Sequence, residues 1–281
     1  MTRTRVLAAL LMVPLAVGAV LLLPSPWLAA LAALLLLVGL WEWLKLAGVD
    51  DTLPRTVLLI LNLLLMVLLV WASAGSPALF QIVVLVGVGW WCLALLWLRF
   101  FHFAADHDTH ARVFKLAAGT LAVVPAWCAL CLIHSANFGT AAFGADIGHR
   151  WLLVALVIVW AADTGAYFAG RRFGRRKLAP QISPNKTVEG ALGGVAAGVL
   201  VGIAGAWFAG AASQWLLVAL VAAITVVFSI AGDLFESLLK RHAGVKDSGD
   251  LIPGHGGILD RIDGVLPALP IFLLGKELLG F

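Results

Sequence analysis

Charged residues are unusually scarce in this sequence. Lys, Arg, Asp and Glu make up only 12% of its 281 residues, whereas they make up about 25% of a typical soluble domain. Hydrophobic residues supply 62%, and no polar block is long enough to enclose a separate water-soluble core. This composition excludes an ordinary soluble globule. It predicts one integral-membrane domain over residues 1–281, and we expect no nucleic-acid partner.

Cysteine is also scarce. The three cysteines, Cys92, Cys128 and Cys131, all lie inside apolar runs. The spacing of Cys128 and Cys131 formally matches a redox or metal-binding pair, but the apolar setting favours buried structural thiols. We therefore expect no disulfide and no zinc site.

Long apolar runs, in contrast, are abundant. A helix needs about 20 apolar residues to cross the hydrocarbon layer of a bilayer, and nine segments approach this length. They cover residues 6–23, 27–47, 55–72, 78–98, 114–134, 151–170, 188–211, 215–238 and 264–280. The predicted fold is therefore all-α and polytopic, with about nine transmembrane helices. A cleaved signal peptide is the alternative for the first segment, because Arg3 and Arg5 precede it and Pro24 follows it.

The distribution of Lys and Arg orients these helices, because basic loops remain on the cytoplasmic side of a membrane. With a cytoplasmic N-terminus, Arg150 and Lys276 are the only two of 19 basic residues that fall on the opposite side. The same topology turns the two most polar loops, after the sixth and the eighth segments, towards the cytoplasm. We therefore expect a multi-pass protein of the cytoplasmic (inner) membrane with a cytoplasmic active site.

The first five segments contain few polar residues, so residues 1–135 are predicted to form scaffold helices and residues 151–281 the catalytic helices and loops. Glu42, near the cytoplasmic end of the second segment, is interpreted as an interfacial anchor or a local ion pair with Lys45. The seventh segment carries a glycine every fourth residue, at Gly190, Gly194, Gly198 and Gly202. This stripe favours close helix packing, and it offers an interface for a homodimer, which the sequence leaves open.

Polar residues concentrate between Asp233 and Asp263. Asp233, Ser237 and Lys240 are spaced by four and three residues, which places them on one face of a helix. Asp260 and Asp263 are three apart and would share a face if helical. Carboxylates from separate segments are the usual protein ligands of Mg²⁺, with substrate phosphates and waters completing the octahedron. The residues therefore predict a magnesium site, and a serine or cysteine nucleophile is disfavoured because no paired base is evident.

Two further polar segments supply candidates. Asp163 lies about eight residues inside the sixth segment, where an ionisable side chain is costly and marks a functional candidate. Ser183 followed by Pro184 resembles an N-cap and a first-turn proline, which predicts that a helix begins there. Such a helix would direct free N–H groups, together with Lys186 and Thr187, towards an anion at the membrane surface.

These residues resemble a known family. Residues 237–263, which are 27 consecutive positions, are similar to the signature of the phosphatidate cytidylyltransferases, also called CDP-diacylglycerol synthases. The matching positions are Ser237, Lys240, Arg241, Lys246, Asp247, Gly249, Ile252, Pro253, His255, Gly256, Gly257, Leu259, Asp260, Arg261 and Asp263. The segments around Asp163 and at residues 183–190 are similar to the other polar regions of that family, so the resemblance extends over the C-terminal half.

The resemblance implies that CTP and phosphatidate are converted into CDP-diacylglycerol and pyrophosphate beside membrane lipid. It implies that Asp233 and Asp260 are catalytic ligands of Mg²⁺, with Asp263 a third ligand or a neighbour of the metal. The remaining implied roles are phosphate neutralisation by Lys240, Arg241, Lys246 and Arg261, backbone N–H donation by Gly256 and Gly257, and completion of the pocket by Asp163, Lys186, Thr187 and Ser237. His255 is expected to bind a phosphate or to be structural.

Three alternatives stay open from the sequence alone. A cation-coupled transporter would also carry an intramembrane Asp and glycine-interrupted helices, but the polar groups cluster at one face and no inverted repeat is visible. A CDP-alcohol phosphatidyltransferase would carry a D-G-x2-A-R spacing, which is missing. A non-catalytic lipid-binding scaffold would have little use for so many charges at the membrane surface.

Overall fold

The computed structural model describes residues 2–106, 108–135, 146–249 and 256–281. The described chain is nearly all helical. Its helices are α1 (Thr2–Leu22), α2 (Ser25–Leu46), α3 (Thr52–Ala72), α4 (Ala78–Trp97), α5 (Thr109–His134), α6 (Asp146–Phe173), α7 (Val188–Phe208), α8 (Trp215–His242), α9 (Leu259–Ile262) and α10 (Val265–Leu279). Two short strands, β1 (Lys177–Ala179) and β2 (Ser183–Thr187), form an antiparallel hairpin before α7, which the all-α prediction did not include.

Seven of the described helices, α2 to α8, are long and apolar enough to cross a membrane. The apolar part of α1 with described side chains, Met12–Leu22, is shorter, and α10 has 15 residues. The chain is therefore a multi-pass membrane protein. The full count of nine spans and the cytoplasmic N-terminus stay predictions.

Helix α3 shows how the lipid-facing surface is built. Most of its large apolar side chains are exposed, and within this helix only Asn62, Met66 and Leu69 are buried. Exposed apolar surface on this scale is unfavourable in water, but it matches the environment of lipid tails. Helix α3 is thus an outer helix, while α8 is a central one that packs against α7 and α10.

The glycine stripe of α7 packs inside the chain. All four of its glycines are buried. Gly194 lies against the carbonyl oxygen of Ala162 in α6, which an added Cβ would approach to 2.9 Å, and Gly198 faces Val226 of α8. The prediction that the stripe serves close helix packing is confirmed. Because α6 and α8 already occupy it, the stripe is not the free homodimer interface that the sequence suggested.

The start of α7 differs from the prediction. The helix begins at Val188, and the residues from Ser183 to Thr187 form strand β2. Thr187 is the N-cap, with an extended backbone (φ −126°, ψ 154°) and a hydroxyl that accepts a hydrogen bond from the N–H of Gly190 at 3.1 Å. The prediction of a helix start at Ser183 is wrong because strand pairing with β1 holds this segment extended until the threonine cap.

An aromatic cluster joins the N-terminal helices to α8. Phe235 of α8 lies among four indole rings, with centroid distances of 5.0 Å to Trp97, 5.7 Å to Trp43 and 5.9 Å to both Trp90 and Trp91. Aromatic pairs at such distances are favourable beyond the area that they bury. The cluster fixes the rotation of α8 about its axis, so the polar side chains on either side of Phe235 keep a constant direction.

Candidate active site

Three carboxylates meet where α8 faces the link between α9 and α10. Asp233 and Glu236 lie one turn apart on α8, and Asp263 is the C-cap of α9. One carboxylate oxygen from each residue lies within 4.8 Å of the other two. Burial, together with the charges of Asp233 and Glu236, raises the pKa of Asp263 well above its ordinary value. We call these three residues the carboxylate cluster, and their mutual repulsion makes it costly without a nearby cation.

The carboxylate cluster fits a hard divalent ion. The Oε1 atom of Glu236 is buried and receives no hydrogen bond from any residue that the structure describes. Mg²⁺ is bound by carboxylate oxygens of this kind, with phosphates and waters in its remaining positions. Glu236 was not a candidate from the sequence, although its three-residue spacing from Asp233 is a signal that places both on one side of a helix.

Lys186 brings a positive charge to the cluster from the hairpin. Its Nζ forms an ion pair with Oδ2 of Asp233. Thr187 follows it at the buried start of α7 and fixes the end of β2. On the other side of Asp233, the hydroxyl of Ser237 lies 3.5 Å from Oδ1. The structure therefore brings together four of the residues that the sequence nominated, with Lys186 supplied by a strand.

A cavity of about 660 Å³ opens beside this ion pair. Its lining includes Asp163 from α6, Lys186 and Thr187 from the hairpin, and Asp233 from α8. The Asp163 side chain is exposed to the cavity, within electrostatic range of Lys186 and Arg261. The volume lies within the roughly 300–1,000 Å³ of small-molecule pockets. Of the four residues predicted to complete the pocket, Asp163, Lys186 and Thr187 thus share one cavity next to the carboxylate cluster, and Ser237 is not part of its lining.

Asp260 lies in a different environment, where protein donors surround its carboxylate. Oδ1 accepts a hydrogen bond from Nζ of Lys240 at 2.7 Å. Oδ2 accepts from the N–H of Gly257 at 2.8 Å, and from the hydroxyl and the N–H of Ser248 at 3.1 and 3.2 Å. Burial raises the pKa of Asp260, but the hydrogen bonds from Lys240 and Gly257 outweigh it and hold the pKa at about 2.

Lys240 connects Asp260 to the carboxylate cluster. Its Nζ lies 2.7 Å from Oε2 of Glu236 and 2.7 Å from Oδ1 of Asp260. The three side chains are at most 12% exposed, so water screens these ion pairs less than it screens surface pairs. Asp260 is therefore separated from the cluster by one ammonium group. Ligation of a metal by Asp260 itself stays a prediction.

The other predicted residues surround this network. Nε of Arg241 donates to the carbonyl oxygen of Ile182 at 3.1 Å, which ties α8 to the hairpin. The side chains of Lys246 and Arg261 are exposed. His255 lies outside the described residues.

The two glycines of the signature support Asp260. Gly256 has a left-handed backbone (φ 78°), and an added Cβ would lie 2.5 Å from Oδ2 of Asp260, so a side chain is excluded there on both counts. The N–H of Gly257 is donated to the same oxygen. Phosphate binding by these backbone groups stays a prediction.

For Glu42, the interpretation as a local ion pair with Lys45 was wrong. Its buried carboxylate accepts hydrogen bonds from the hydroxyl of Ser248 at 2.9 Å, the N–H of Ile258 at 3.1 Å and the N–H of Leu259 at 2.8 Å. These partners lie 206 to 217 residues away in the sequence, so the contact is not a local one with Lys45. The signal in the sequence was a carboxylate inside an apolar helix. Such a charge is energetically costly unless other groups donate hydrogen bonds to it.

Fold and site together define a class: a multi-pass helical membrane protein in which carboxylates and lysines cluster beside a cavity. Comparison with known sequences then supplies the family. Residues 3–278 match the Cytidylyltransferase family. The chain therefore belongs to the cytidylyltransferase family.

Individual relatives agree with this assignment. A phosphatidate cytidylyltransferase of Pseudomonas aeruginosa is 38% identical over 273 residues, covering 97% of this chain and 96% of the relative. A phosphatidate cytidylyltransferase of Haemophilus influenzae is 33% identical over 290 residues, covering 97% of each chain. One from Bacillus subtilis is 46% identical over 129 residues, covering 45% of this chain and 48% of the relative.

Proposed function

We propose that this chain is a phosphatidate cytidylyltransferase of phospholipid biosynthesis. In this reaction, an anionic phosphate oxygen of phosphatidate attacks the α-phosphorus of CTP and forms a new P–O bond. The bond from that phosphorus to the bridging oxygen breaks, so CDP-diacylglycerol forms and pyrophosphate leaves. The names of relatives that match nearly the whole chain support the choice of both substrates.

The observation that carries the proposal is the position of the carboxylate cluster beside the Lys186 cavity. Within the carboxylate cluster, Oε1 of Glu236 is buried and has no described donor, and a lysine is paired to Asp233 at the cavity. Metal-assisted transfer of a nucleotidyl group needs these two features together, acid oxygens for a divalent ion and a cation for phosphate oxygens.

We propose Asp233, Glu236 and Asp263 as the residues that would hold Mg²⁺. Asp260, which the family resemblance implies as a ligand, is a second candidate because it adjoins Glu236 through Lys240. Mg²⁺ bound there would neutralise phosphate oxygens and the departing pyrophosphate. The side chains of this protein would bind and position the two substrates.

The lipid phosphate is already anionic at neutral pH, so the site requires no strong general base. Its task is to bring two polyanions together, which is a matter of charge and position. Lys186 can exchange its contact with Asp233 for a phosphate oxygen, since it lines the cavity. Lys246 and Arg261 are exposed to solvent and would add positive charge near an approaching phosphate, while Lys240 lies between two carboxylates and holds them in place.

We also propose that the site faces the cytoplasm from the inner membrane, with about nine spans. The bias of basic residues supports this orientation. Val245 is exposed just after α8, so Val245→Cys provides a label position. A membrane-impermeant thiol reagent is expected to label it only after the cells are permeabilised. Labelling of intact spheroplasts would contradict the orientation.

The activity is tested with purified protein in lipid nanodiscs. CTP and Mg²⁺ are supplied with and without phosphatidate, and pyrophosphate and CDP-diacylglycerol are both quantified. We expect equal amounts of the two products, only when phosphatidate and Mg²⁺ are present. Transporter and scaffold functions predict no product, and release of pyrophosphate without phosphatidate would indicate a different reaction.

A further inference from the structure

We propose that Glu42 is a positioning residue, which holds the two described ends of the signature loop so that Asp260 and Lys240 stay in place. These ends, which we call the loop ends, are residues 246–249 and 256–259. The kinetic part of this inference rests on the proposed function, whereas its structural part does not.

A single carboxylate of α2 contacts both loop ends. One oxygen of Glu42 accepts from the hydroxyl of Ser248 on the first end. The N–H groups of Ile258 and Leu259 on the second end donate to the two oxygens, at 3.1 and 2.8 Å. Glu42 is only 5% exposed, and hydrogen bonds to a carboxylate are roughly twice as strong as neutral ones. Glu42 therefore links the loop ends from a separate helix.

The shape of the loop ends is built around this carboxylate. A Cβ added to Gly249 would lie 2.6 Å from Oε1 of Glu42, and one added to Gly257 would collide with Oε2. One turn earlier on α2, a Cβ on Gly39 would lie 2.7 Å from the side chain of Ile262 in α9. Glycine at three positions thus leaves room for the close approach of α2 to the signature.

The groups that hold Asp260 are also the groups next to Glu42. The hydroxyl of Ser248 lies 2.9 Å from Oε2 of Glu42 and 3.1 Å from Oδ2 of Asp260. Gly257, which donates its N–H to Asp260, is directly followed by Ile258, which donates to Glu42. A displacement of the loop ends would therefore displace Asp260, and Lys240 with it. Misplacement of reacting groups by about 1 Å can lower a rate by about 10²-fold.

The first test compares kinetic constants in nanodiscs. Glu42→Gln keeps the length of the side chain but presents an NH₂ group to donors, and Glu42→Ala removes the contact. We expect kcat to fall by about 10-fold to 100-fold in Glu42→Gln and further in Glu42→Ala, while KM for CTP changes less than about 3-fold. Glu277→Gln, the same substitution at an exposed site on α10, is the matched control and should keep wild-type constants.

A second test separates positioning from mere folding. Amide hydrogen exchange is measured for the peptide that contains Ile258 and Leu259, and for peptides of α4 as an internal reference. We expect faster exchange in Glu42→Gln at the loop ends alone, at a temperature where the variant is folded. If Glu42→Ala does not fold, Ser248→Ala is used in its place, and we expect its kcat to fall by about 3-fold to 10-fold. In the double variant of Ser248→Ala and Glu42→Gln, the two losses in kcat should not be additive.

The inference is overturned if folded Glu42→Gln retains wild-type kcat, or if exchange at the loop ends does not change. An unchanged kcat per folded molecule with a reduced yield would show that Glu42 only stabilises the fold. A wild-type protein without transferase activity, but with Glu42-dependent exchange, would refute the proposed function while supporting the structural part of the inference.

Discussion

The two acidic regions that α8 joins differ in how their charge is compensated. In the carboxylate cluster, three acids share the Lys186 contact and the Lys240 contact, and Glu236 keeps a buried oxygen without a described donor. Asp260 instead has a lysine, two N–H groups and a hydroxyl around one carboxylate. The first region is short of positive charge, and the second is satisfied by the protein.

This difference assigns different tasks to carboxylates that look alike in the sequence. An under-compensated group of acids gains most from a divalent ion, whereas a satisfied carboxylate holds structure. Lys240 lies between the two regions and belongs to both. We therefore expect substitutions in the cluster to affect catalysis first and substitutions around Asp260 to affect stability as well.

The largest effect is expected for Asp233→Asn. Removing one negative charge from the proposed metal ligands should lower kcat/KM for CTP by about 10³-fold or more, because the ion would lose a primary ligand. The melting temperature in detergent should change little, since the Asp233 side chain is 34% exposed. Assays over a range of Mg²⁺ concentrations measure the effect, and wild-type turnover in the variant would refute the metal assignment.

Lys240→Met tests the junction between the two regions. The substitution leaves Glu236 and Asp260 without their shared ammonium at sites that are almost buried. We expect a loss of about 3–5 kcal/mol in the free energy of unfolding, because an uncompensated buried charge remains. Denaturant unfolding in micelles measures it. Lys246→Ala, at an exposed site, is the control for stability, and an equal loss in both variants would contradict the account.

We expect the free energy of unfolding to depend on pH through the ionisation of Asp260. Its folded pKa of about 2 lies below the ordinary value of 3.8 for an aspartate, so the ionised form stabilises the fold. This contribution is complete above about pH 4 and is lost as the pH falls through about 2, and it amounts to about 1–2 kcal/mol after allowance for solvent screening. The difference in unfolding free energy between wild type and Asp260→Asn should shrink accordingly below pH 4. A difference independent of pH would contradict the assignment.

The smallest effect is expected for substitution of Thr187, the N-cap of α7 that directly follows Lys186. Thr187→Ala removes the acceptor for the N–H of Gly190 and should destabilise the protein by about 1 kcal/mol. Thr187→Ser keeps the hydroxyl and should retain most of the stability. Thermal unfolding compares the two variants, and equal losses would show that the methyl group matters rather than the cap.

Local spacing predicted the parts of the site that lie within one helix. Asp233, Ser237 and Lys240 lie on α8, as the intervals of four and three residues indicated. Glu236 also has helical spacing from Asp233 and Lys240. Spacing alone does not show which acidic side chain contacts a partner from another segment. Asp260 and Asp263 lie three apart, yet they contact Lys240 and the carboxylate cluster respectively.

Long-range contacts were beyond prediction from the sequence. The partners of Glu42 are at least 206 residues away, and no periodicity connects them. The hairpin before α7 was missed because the Ser-Pro pattern also occurs at helix starts, and only pairing with β1 decides between them. The contacts of Glu42 join helix α2 to the site, and the hairpin places Lys186 beside Asp233.

The most direct test of the central claim is the location of a divalent ion in a structure of the wild-type protein with Mn²⁺ and CTP. Anomalous scattering identifies Mn²⁺ without ambiguity. We predict a peak at coordination distance, about 2.1 Å as for a comparable hard ion, from carboxylate oxygens of Asp233 and Asp263. A peak elsewhere, with these carboxylates free of metal, would contradict it.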